Sequence, residues 1–169
     1  PPPPRGAVRG ERVLRHLVDL GYRIKLAGQG DPGLVPGAEH VGILSGSAKA
    51  EYLKGAVATL VPTVYNEPFG GVSIESLFCG TPVIASDGAV FPETVGQISQ
   101  AMLANRLSEW VNNIELWDSN PYPPDWFARK AAQRWSVQAV RPQYERVLRY
   151  MEDVREGPGW MKVCRASCC

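Results

Sequence analysis

Two acidic residues and two adjacent glycines form the stretch of this sequence whose residue types are best suited to binding a ligand or to catalysis. Glu67 and Glu75 flank Gly70 and Gly71 in the segment NEPFGGVSIE, residues 66–75. Because glycine has no Cβ, a glycine pair lets backbone N–H groups approach an anion closely, and a helix that follows adds the positive end of its dipole. The pattern predicts a phosphate-binding site at the start of a helix.

The two carboxylates indicate which phosphate ligand fits. Carboxylates repel phosphate but accept hydrogen bonds from sugar hydroxyls. We expect Glu67 at the loop entrance and Glu75 in the first turn of the helix, so a nucleotide sugar, with a sugar on each side of a diphosphate, would use both. The alternative stays open that Glu75 only stabilises the helix dipole and Glu67 is a solvated loop charge. The loop lacks the Lys-Ser/Thr pair of a P-loop and the three-glycine fingerprint of a dinucleotide fold.

The hydrophobic pattern predicts helices and strands in alternation around this loop. Apolar residues at three- and four-residue spacing predict an amphipathic first helix, and alternating or continuous apolar runs predict strands. The predicted elements are a helix at 8–20, strands at 22–27 and 40–44, a helix at 47–55 capped by Ser47, a strand at 57–61, a helix at 72–78, a strand at 83–86, and helices at 107–117, 124–135 and 136–154. This order predicts an α/β fold with a Rossmann-like, doubly wound parallel sheet flanked by helices.

Composition and charge exclude several other classes. The 169 residues carry 18 basic and 17 acidic side chains, a net charge of +1, which argues against nucleic acid as a partner. No apolar run approaches the ~20 residues that cross a bilayer, and no signal peptide opens the chain, so no transmembrane segment is predicted. The cysteines are not spread through the chain as in a disulfide scaffold, which fits a reducing compartment, and we predict a cytoplasmic protein. We expect a disordered or truncated start over residues 1–6, one domain over 7–155, and a flexible tail over 156–169 that holds three of the four cysteines.

A longer stretch resembles a known enzyme family. The sequence AVATLVPTVYNEPFGGVSIESLFCGTPVI, residues 56–84, closely resembles the donor-binding motif of group-one (family four) retaining glycosyltransferases. The resemblance continues to Glu93-Thr94-Val95 and weakly back to Leu26-Ala27-Gly28. It implies a GT-B fold, two Rossmann-like domains that face a cleft, of which this chain is the C-terminal, donor-binding half. The implied reaction transfers a sugar from a UDP- or GDP-sugar to an acceptor hydroxyl with retention of configuration.

The resemblance also implies individual roles. Glu67 is the predicted catalytic residue and would hold hydroxyls of the donor sugar, while Glu75 would bind the ribose hydroxyls. The other predicted donor-binding residues are Gly28, Phe69, Gly70, Gly71 and Val72. No Asp-x-Asp pair occurs, so neither a metal nor a further cofactor is predicted. A carbohydrate or lipid-linked acceptor would be held by an N-terminal domain that this sequence lacks, and we therefore expect little transfer activity from these residues alone.

The sequence departs from the family pattern at two places. A glycine-rich turn of the family reads Gly88-Ala89-Val90 here, and Ile98 and Ala101 stand where the family carries two glycines. The first strand of a donor domain, with the basic residues that hold the diphosphate, is also not found. An alternative is therefore a non-catalytic module that binds a nucleotide sugar or a partner, and a nucleotide-sugar epimerase is a less favoured third interpretation.

Overall fold

Helices and short strands alternate along the chain. The computed structural model describes residues 5–31, 33–63 and 65–156, with side chains from Gly10 onward. Its elements are α1 (Arg5–Asp19), β1 (Lys25–Ala27), β2 (Glu39–Gly42), α2 (Gly46–Lys54), β3 (Thr59–Val61), α3 (Gly71–Phe78), β4 (Val83–Ser86), β5 (Leu103–Ala104), α4 (Leu107–Ser119), α5 (Pro124–Trp135) and α6 (Val137–Glu156). Two short 3-10 turns, Val95–Gln97 and Gln100–Met102, precede β5. The predicted α/β class is confirmed.

All strands pair in parallel, and they form two small sheets. β1 pairs with β2, and β3, β4 and β5 form a three-stranded sheet in that order. Within each sheet the strand order is compatible with the doubly wound order 3-2-1-4-5-6, in which β1 and β2 would be strands 2 and 3 and β3 to β5 would be strands 4 to 6. Among the described residues, no strand pairs with both β1 and β3, so the hydrogen-bonded ladder is divided between the two sheets.

Several element boundaries differ from the prediction. β4 and α5 begin and end where the sequence placed them. β1 starts only at Lys25, three residues later than expected, and β5 was not predicted because two residues are too few to show a period. The predicted cap Ser47 is wrong, since α2 begins at Gly46 and its N-cap is Ser45, in extended conformation.

Helix α1 contacts a loop next to each of the two sheets. A Cβ on Gly10 would lie 2.6 Å from the carbonyl oxygen of Pro62, the first residue after β3. Further along α1, the Arg15 guanidinium donates a 2.9 Å hydrogen bond to the carbonyl of Leu34, between β1 and β2. Leu17 is fully buried in the same helix. The glycine therefore permits a close approach at one end of α1, while side-chain contacts hold the other.

A set of four residues, the hydroxyl network, fixes α3 against its neighbours. The buried Ser76 hydroxyl of α3 is hydrogen-bonded to Thr59 Oγ1 of β3 at 2.7 Å and to the Thr81 carbonyl oxygen at 3.1 Å. The Thr81 hydroxyl in turn donates to the Leu53 carbonyl of α2 at 2.8 Å. Because buried polar groups are costly without partners, these bonds define one arrangement of α2, α3 and β3.

The core lies around β4. Val83, Ile84 and Ala85 have no exposed surface, and Trp110 of α4 and Phe127 of α5 are almost completely buried. The chain divides into two compact units, residues 1–130 and 131–169, and the first unit contains both sheets. Within the part of the chain that the structure describes, no helix is both long enough and apolar enough to cross a membrane.

The predicted chain ends are only partly within the described residues. α1 begins at Arg5, so residues 5 and 6 of the predicted start are helical, and residues 1–4 lie outside the description. α6 ends at Glu156, and residues 157–169, with the three tail cysteines, also lie outside it.

Gly80→Ala tests the turn that ends α3. Gly80 has a φ of +84°, and a Cβ there would lie 2.7 Å from Pro124 Cβ and 2.9 Å from its carbonyl oxygen. We expect the substitution to lower the free energy of unfolding by about 1–3 kcal/mol, because strain and a backbone clash add. Urea denaturation followed by circular dichroism measures it.

Gly55→Ala is the matched control. Gly55 ends α2 with a φ of −80°, and a Cβ there meets its nearest neighbour at 3.5 Å. Alanine fits this conformation, so stability should stay the same or rise by about 0.4–1 kcal/mol. Equal destabilisation by both substitutions would contradict the account of Gly80.

Candidate functional site

The candidate site lies where β3 ends and α3 begins. In parallel α/β sheets, ligands bind beyond the carboxyl ends of the strands. The loop after β3 runs from residue 62 to residue 70 and leads directly into α3, which starts at Gly71. Residue 64 of this loop lies outside the described residues. The Thr59–Ser76 bond of the hydroxyl network ties the strand to the helix that the loop connects.

Gly70, the last residue of the loop, and Gly71, the first residue of α3, differ in whether the fold requires a glycine. Gly70 is buried, is the N-cap of α3 and has a φ of +72°, and a Cβ there would lie 2.7 Å from the ring of Phe91. Gly71 is exposed, and a Cβ on it would meet no atom within 4 Å. Folding therefore explains Gly70, whereas nothing in the described structure requires a glycine at residue 71. The space above Gly71 is open to a ligand.

The Glu67 carboxylate is hydrogen-bonded to its own loop. Its Oε1 accepts from the Gly70 amide at 3.0 Å, and its Oε2 accepts from the Tyr65 hydroxyl. The Tyr65 hydroxyl, followed by the amides of Gly70 and Phe69, lowers the pKa of Glu67 against the opposing effect of desolvation. The carboxylate thus fixes the loop and stays ionised, and the Gly70 amide is used within the protein.

Two backbone donors remain at the start of α3. The first turn of a helix leaves N–H groups without intrahelical partners. The Ser73 amide donates to the Gly70 carbonyl at 2.9 Å, but the amides of Gly71 and Val72 have no hydrogen bond to any described residue. Both residues are exposed, and the helix dipole is positive here. Of the residues predicted to bind the nucleotide sugar, Gly71 and Val72 are the two whose backbone N–H groups are free to bind an anion.

Glu75 faces a different environment from Glu67. It lies in the second turn of α3, one turn later than predicted, and its side chain is 52% exposed. Its Oε2 forms an ion pair with Lys49 Nζ of α2. No recorded hydrogen bond or ion pair within the described residues joins Glu75 to Glu67. The two acids are therefore held independently.

The remaining predicted residues lie at the loop and at the other sheet. Phe69 is 51% exposed and Val72 39% exposed, so both present apolar surface next to Gly71. Gly28 follows β1, with a φ of +126°, and its amide donates to the Gly42 carbonyl at 2.8 Å. The structure groups the residues from Glu67 to Glu75 on one loop and helix, and it places Gly28 at the end of the two-stranded sheet.

Two side chains at the site were missed from the sequence. Tyr65 precedes Glu67 by two residues, a spacing that is typical of extended backbone but by itself assigns no contact. Lys49 is 26 residues before Glu75 on another helix, and sequence spacing holds no signal for such a pair. Only the packing of α2 against α3 brings Lys49 to the carboxylate.

Other features of the described residues lie away from this loop. An open groove of about 550 Å³ shares no residue with it and is lined by Glu11, Arg12, Arg15, His16, Asp19 and Leu107. The described residues hold no cluster of three or more His, Cys, Asp or Glu side chains that could bind a metal ion. The chemical groups at the loop are backbone amides, carboxylates and exposed apolar side chains.

The sequence model of the family described as "Glycosyl transferases group 1" matches residues 36–134, more than half of the chain. The chain belongs to the group 1 glycosyltransferases. The matched residues include the whole loop after β3, all of α3 and both sheets except β1. The family of this domain is thereby shown.

Individual relatives agree with the family. An uncharacterized glycosyltransferase of Methanocaldococcus jannaschii is 28% identical over 152 residues, which cover 90% of this chain and 32% of the relative. The crystal structure of AviGT4, a glycosyltransferase involved in avilamycin A biosynthesis, superposes with a TM-score of 0.64 at 19% identity, over 93% of this chain and 50% of that one. This likeness shows a shared fold, and the predicted class, an α/β fold with parallel strands flanked by helices, is confirmed.

The glycosyltransferase domain spans only part of its relatives. It covers about a third of the archaeal protein and half of the solved structure. The described residues contain five parallel strands in two sheets.

Tyr65→Phe tests the environment of Glu67. Removing the hydroxyl removes the largest influence that lowers the pKa of Glu67, so this pKa should rise toward its ordinary value. A lowered pKa stabilises the fold above the unfolded-state pKa, and this contribution is lost as pH falls through the folded-state value. Titration of the Glu67 carboxyl carbon by NMR measures the shift.

Tyr144→Phe serves as the control for this titration. Tyr144 is exposed on α6 and far from the loop in sequence. Its substitution should leave the Glu67 titration unchanged. An unchanged Glu67 pKa in the Tyr65 variant would show that the hydroxyl does not bond the carboxylate in solution.

Proposed function

We propose that this domain is the C-terminal, donor-binding half of a retaining (family four) GT-B glycosyltransferase and that it binds a UDP- or GDP-sugar at the start of α3. The observation that carries the proposal is Gly71, an exposed glycine at the positive end of a helix, with open space over its Cα and free amides at Gly71 and Val72. A ligand that approaches the backbone closely explains a glycine that folding does not require.

The diphosphate would bind at the amides of Gly71 and Val72. Two N–H donors and the helix dipole stabilise negative charge that accumulates on a leaving group, and they need no reorganisation to do so. The exposed side chain of Phe69 would cover apolar parts of the ligand at this position. Transfer would then proceed without a metal ion, because the backbone supplies the positive potential.

The two glutamates would bind the two sugars of the donor. Glu67 is rigid and ionised because Tyr65 and Gly70 donate to its oxygens, and its remaining lone pairs are oriented by those contacts. We assign it the hydroxyls of the transferred sugar. Glu75, one turn into α3 and half exposed, would accept hydrogen bonds from the ribose hydroxyls. Along the chain, Glu67, the amides at the start of α3 and Glu75 then match the order of transferred sugar, diphosphate and ribose in the donor.

The acceptor would bind outside the described residues. In a two-domain GT-B enzyme, the reaction takes place in the cleft between domains, so a carbohydrate or lipid-linked acceptor would be held by the other half. We therefore expect this chain to bind a donor and to transfer sugar only together with an acceptor domain, as part of a cytoplasmic enzyme. The anomeric configuration of the sugar would be retained.

Calorimetry with UDP, GDP, UDP-glucose and GDP-mannose tests the assignments. Glu75→Ala should weaken a nucleoside diphosphate and its sugar conjugate alike, by about tenfold, because hydrogen bonds to a charged group are lost. Glu67→Gln, which keeps an acceptor for the Gly70 amide, should weaken only the sugar-bearing ligand. The difference assigns one acid to ribose and the other to the donor sugar.

Glu51→Ala is the control in this titration. Glu51 lies on α2, and its exposed carboxylate pairs with Lys54 of the same helix at 3.1 Å. It should bind every ligand as the unaltered chain does. Absence of binding of all four ligands at millimolar concentration would exclude the proposed donor site.

Gly71→Ala separates binding from folding. Alanine at the first residue of a helix is well tolerated, and a Cβ here meets no atom, so stability should stay equal or rise by up to about 1 kcal/mol. The methyl group would obstruct the approach of a diphosphate, so the affinity for UDP or GDP should fall about tenfold or more. Thermal unfolding and calorimetry measure the two properties.

The Gly55→Ala variant provides the comparison for Gly71→Ala. It adds the same methyl group at a helix end that lies outside the candidate site. Its nucleotide affinity should match that of the unaltered chain. Full nucleotide affinity in Gly71→Ala would contradict a close approach of the ligand at residue 71.

A further inference from the structure

Lys49 is the one basic side chain that the described contacts place at the candidate site. Its Nζ forms an ion pair with Glu75 Oε2, and the side chains of the two residues are 36% and 52% exposed. Lys49 lies in α2 and Glu75 in α3, so the contact joins two helices that are separated in sequence by β3 and the loop. The proposed ribose-binding carboxylate thus has a partner before any ligand binds.

The position of Lys49 is fixed by the packing of α2. Residues four apart lie on the same face of a helix, so Lys49 and Leu53 both face α3. Leu53 is only 5% exposed, and its carbonyl accepts the hydrogen bond from the Thr81 hydroxyl at 2.8 Å. The buried end of α2 is therefore fixed next to the end of α3, and Lys49 extends from that fixed face to Glu75.

The ion pair leaves acceptor capacity on the carboxylate. A carboxylate has about four lone-pair sites on its two oxygens, and the recorded contact of Glu75 uses Oε2. An unrestrained glutamate must lose rotamer freedom when it binds a diol. A glutamate whose orientation Lys49 already sets loses less, and Oε1 remains available for hydroxyl groups.

Lys49 also offsets the charge of Glu75. Glu75 is four residues beyond Gly71, so the carboxylate is about one helical turn, roughly 6 Å, from the proposed diphosphate position. A carboxylate at this separation repels an anion, and an adjacent ammonium group reduces that repulsion. A paired Glu75 can therefore accept from ribose hydroxyls next to a diphosphate.

We propose that Lys49 is a positioning residue, which holds the Glu75 carboxylate for the ribose hydroxyls of the donor. This inference rests on the proposed function and adds to it a specificity determinant on α2. An ordinary surface ion pair would instead contribute only marginally to stability and nothing to the recognition of a ribose. The two explanations differ in one observable, the preference for ribose over 2′-deoxyribose.

The test compares UDP and GDP with their 2′-deoxy counterparts by NMR titration of the Gly71 amide. Lys49→Met should weaken the ribonucleotide about two- to fivefold and the 2′-deoxynucleotide by clearly less, since one of the hydroxyls that Glu75 holds is absent there. Lys49→Arg, which keeps the charge, should retain most of the preference. In a Glu75→Gln background, Lys49→Met should have no further effect.

Lys54→Met is the matched control. Lys54 is on the same helix and forms a comparable exposed ion pair, with Glu51 at 3.1 Å. It should change the affinity for neither nucleotide, and thermal unfolding should show that both methionine variants are folded.

Two results would overturn the inference alone. Equal loss of affinity for ribo- and 2′-deoxynucleotides would place Lys49 at the diphosphate, and unchanged affinity for both would leave the pair with a stabilising role only. If the unaltered chain binds neither UDP nor GDP, the proposed function fails and this inference fails with it.

Discussion

The arrangement of the candidate site depends on the hydroxyl network, in which Ser76 bonds to Thr59 and Thr81, and Thr81 bonds to Leu53. These buried contacts join β3, α2 and α3 at the place where the sheet would otherwise offer only apolar packing. A hydroxyl left without a partner in such a position costs more than the bond itself contributes. The network therefore selects one register of α3, and with it the direction in which the free amides at the start of the helix point.

The two acids flank the same helix start but take different parts in the structure. Glu67 is bonded within its loop to Tyr65 and Gly70, so it forms part of the framework and its charge is stabilised locally. Glu75 is half exposed, and among the described residues its bonded partner is Lys49. A rigid carboxylate suits the transferred sugar, because the position of that sugar determines which bond reacts. A more exposed acid suits binding of a group remote from that bond, which agrees with the roles proposed for them.

Much of the fold could be predicted because its strands and helices follow simple periods. β4 is a short apolar run between a glycine-proline turn and a serine, and α5 begins at a proline, and both were predicted at their observed boundaries. β5 could not be predicted, since two residues show no period. The loop glycines could be predicted as a pair, but the sequence did not show that Gly70 is required by a φ of +72° and Gly71 is not. The ion pair of Lys49 with Glu75 arises from the packing of two helices, which spacing along one chain does not encode.

The division of the strands into two sheets has a mechanical consequence. A hydrogen-bonded ladder resists shear, whereas side-chain packing yields to it, and no ladder joins β1 to β3 within the residues that the structure describes. Gly28 follows β1 of one sheet and Gly71 follows β3 of the other, so no strand pairing among the described residues fixes the distance between the two glycines. Helix α1 contacts the chain next to each sheet: Gly10 lies against Pro62 after β3, and Arg15 bonds to Leu34 between β1 and β2. These two contacts of α1 therefore connect the part of the chain that carries Gly28 with the part that carries Gly71.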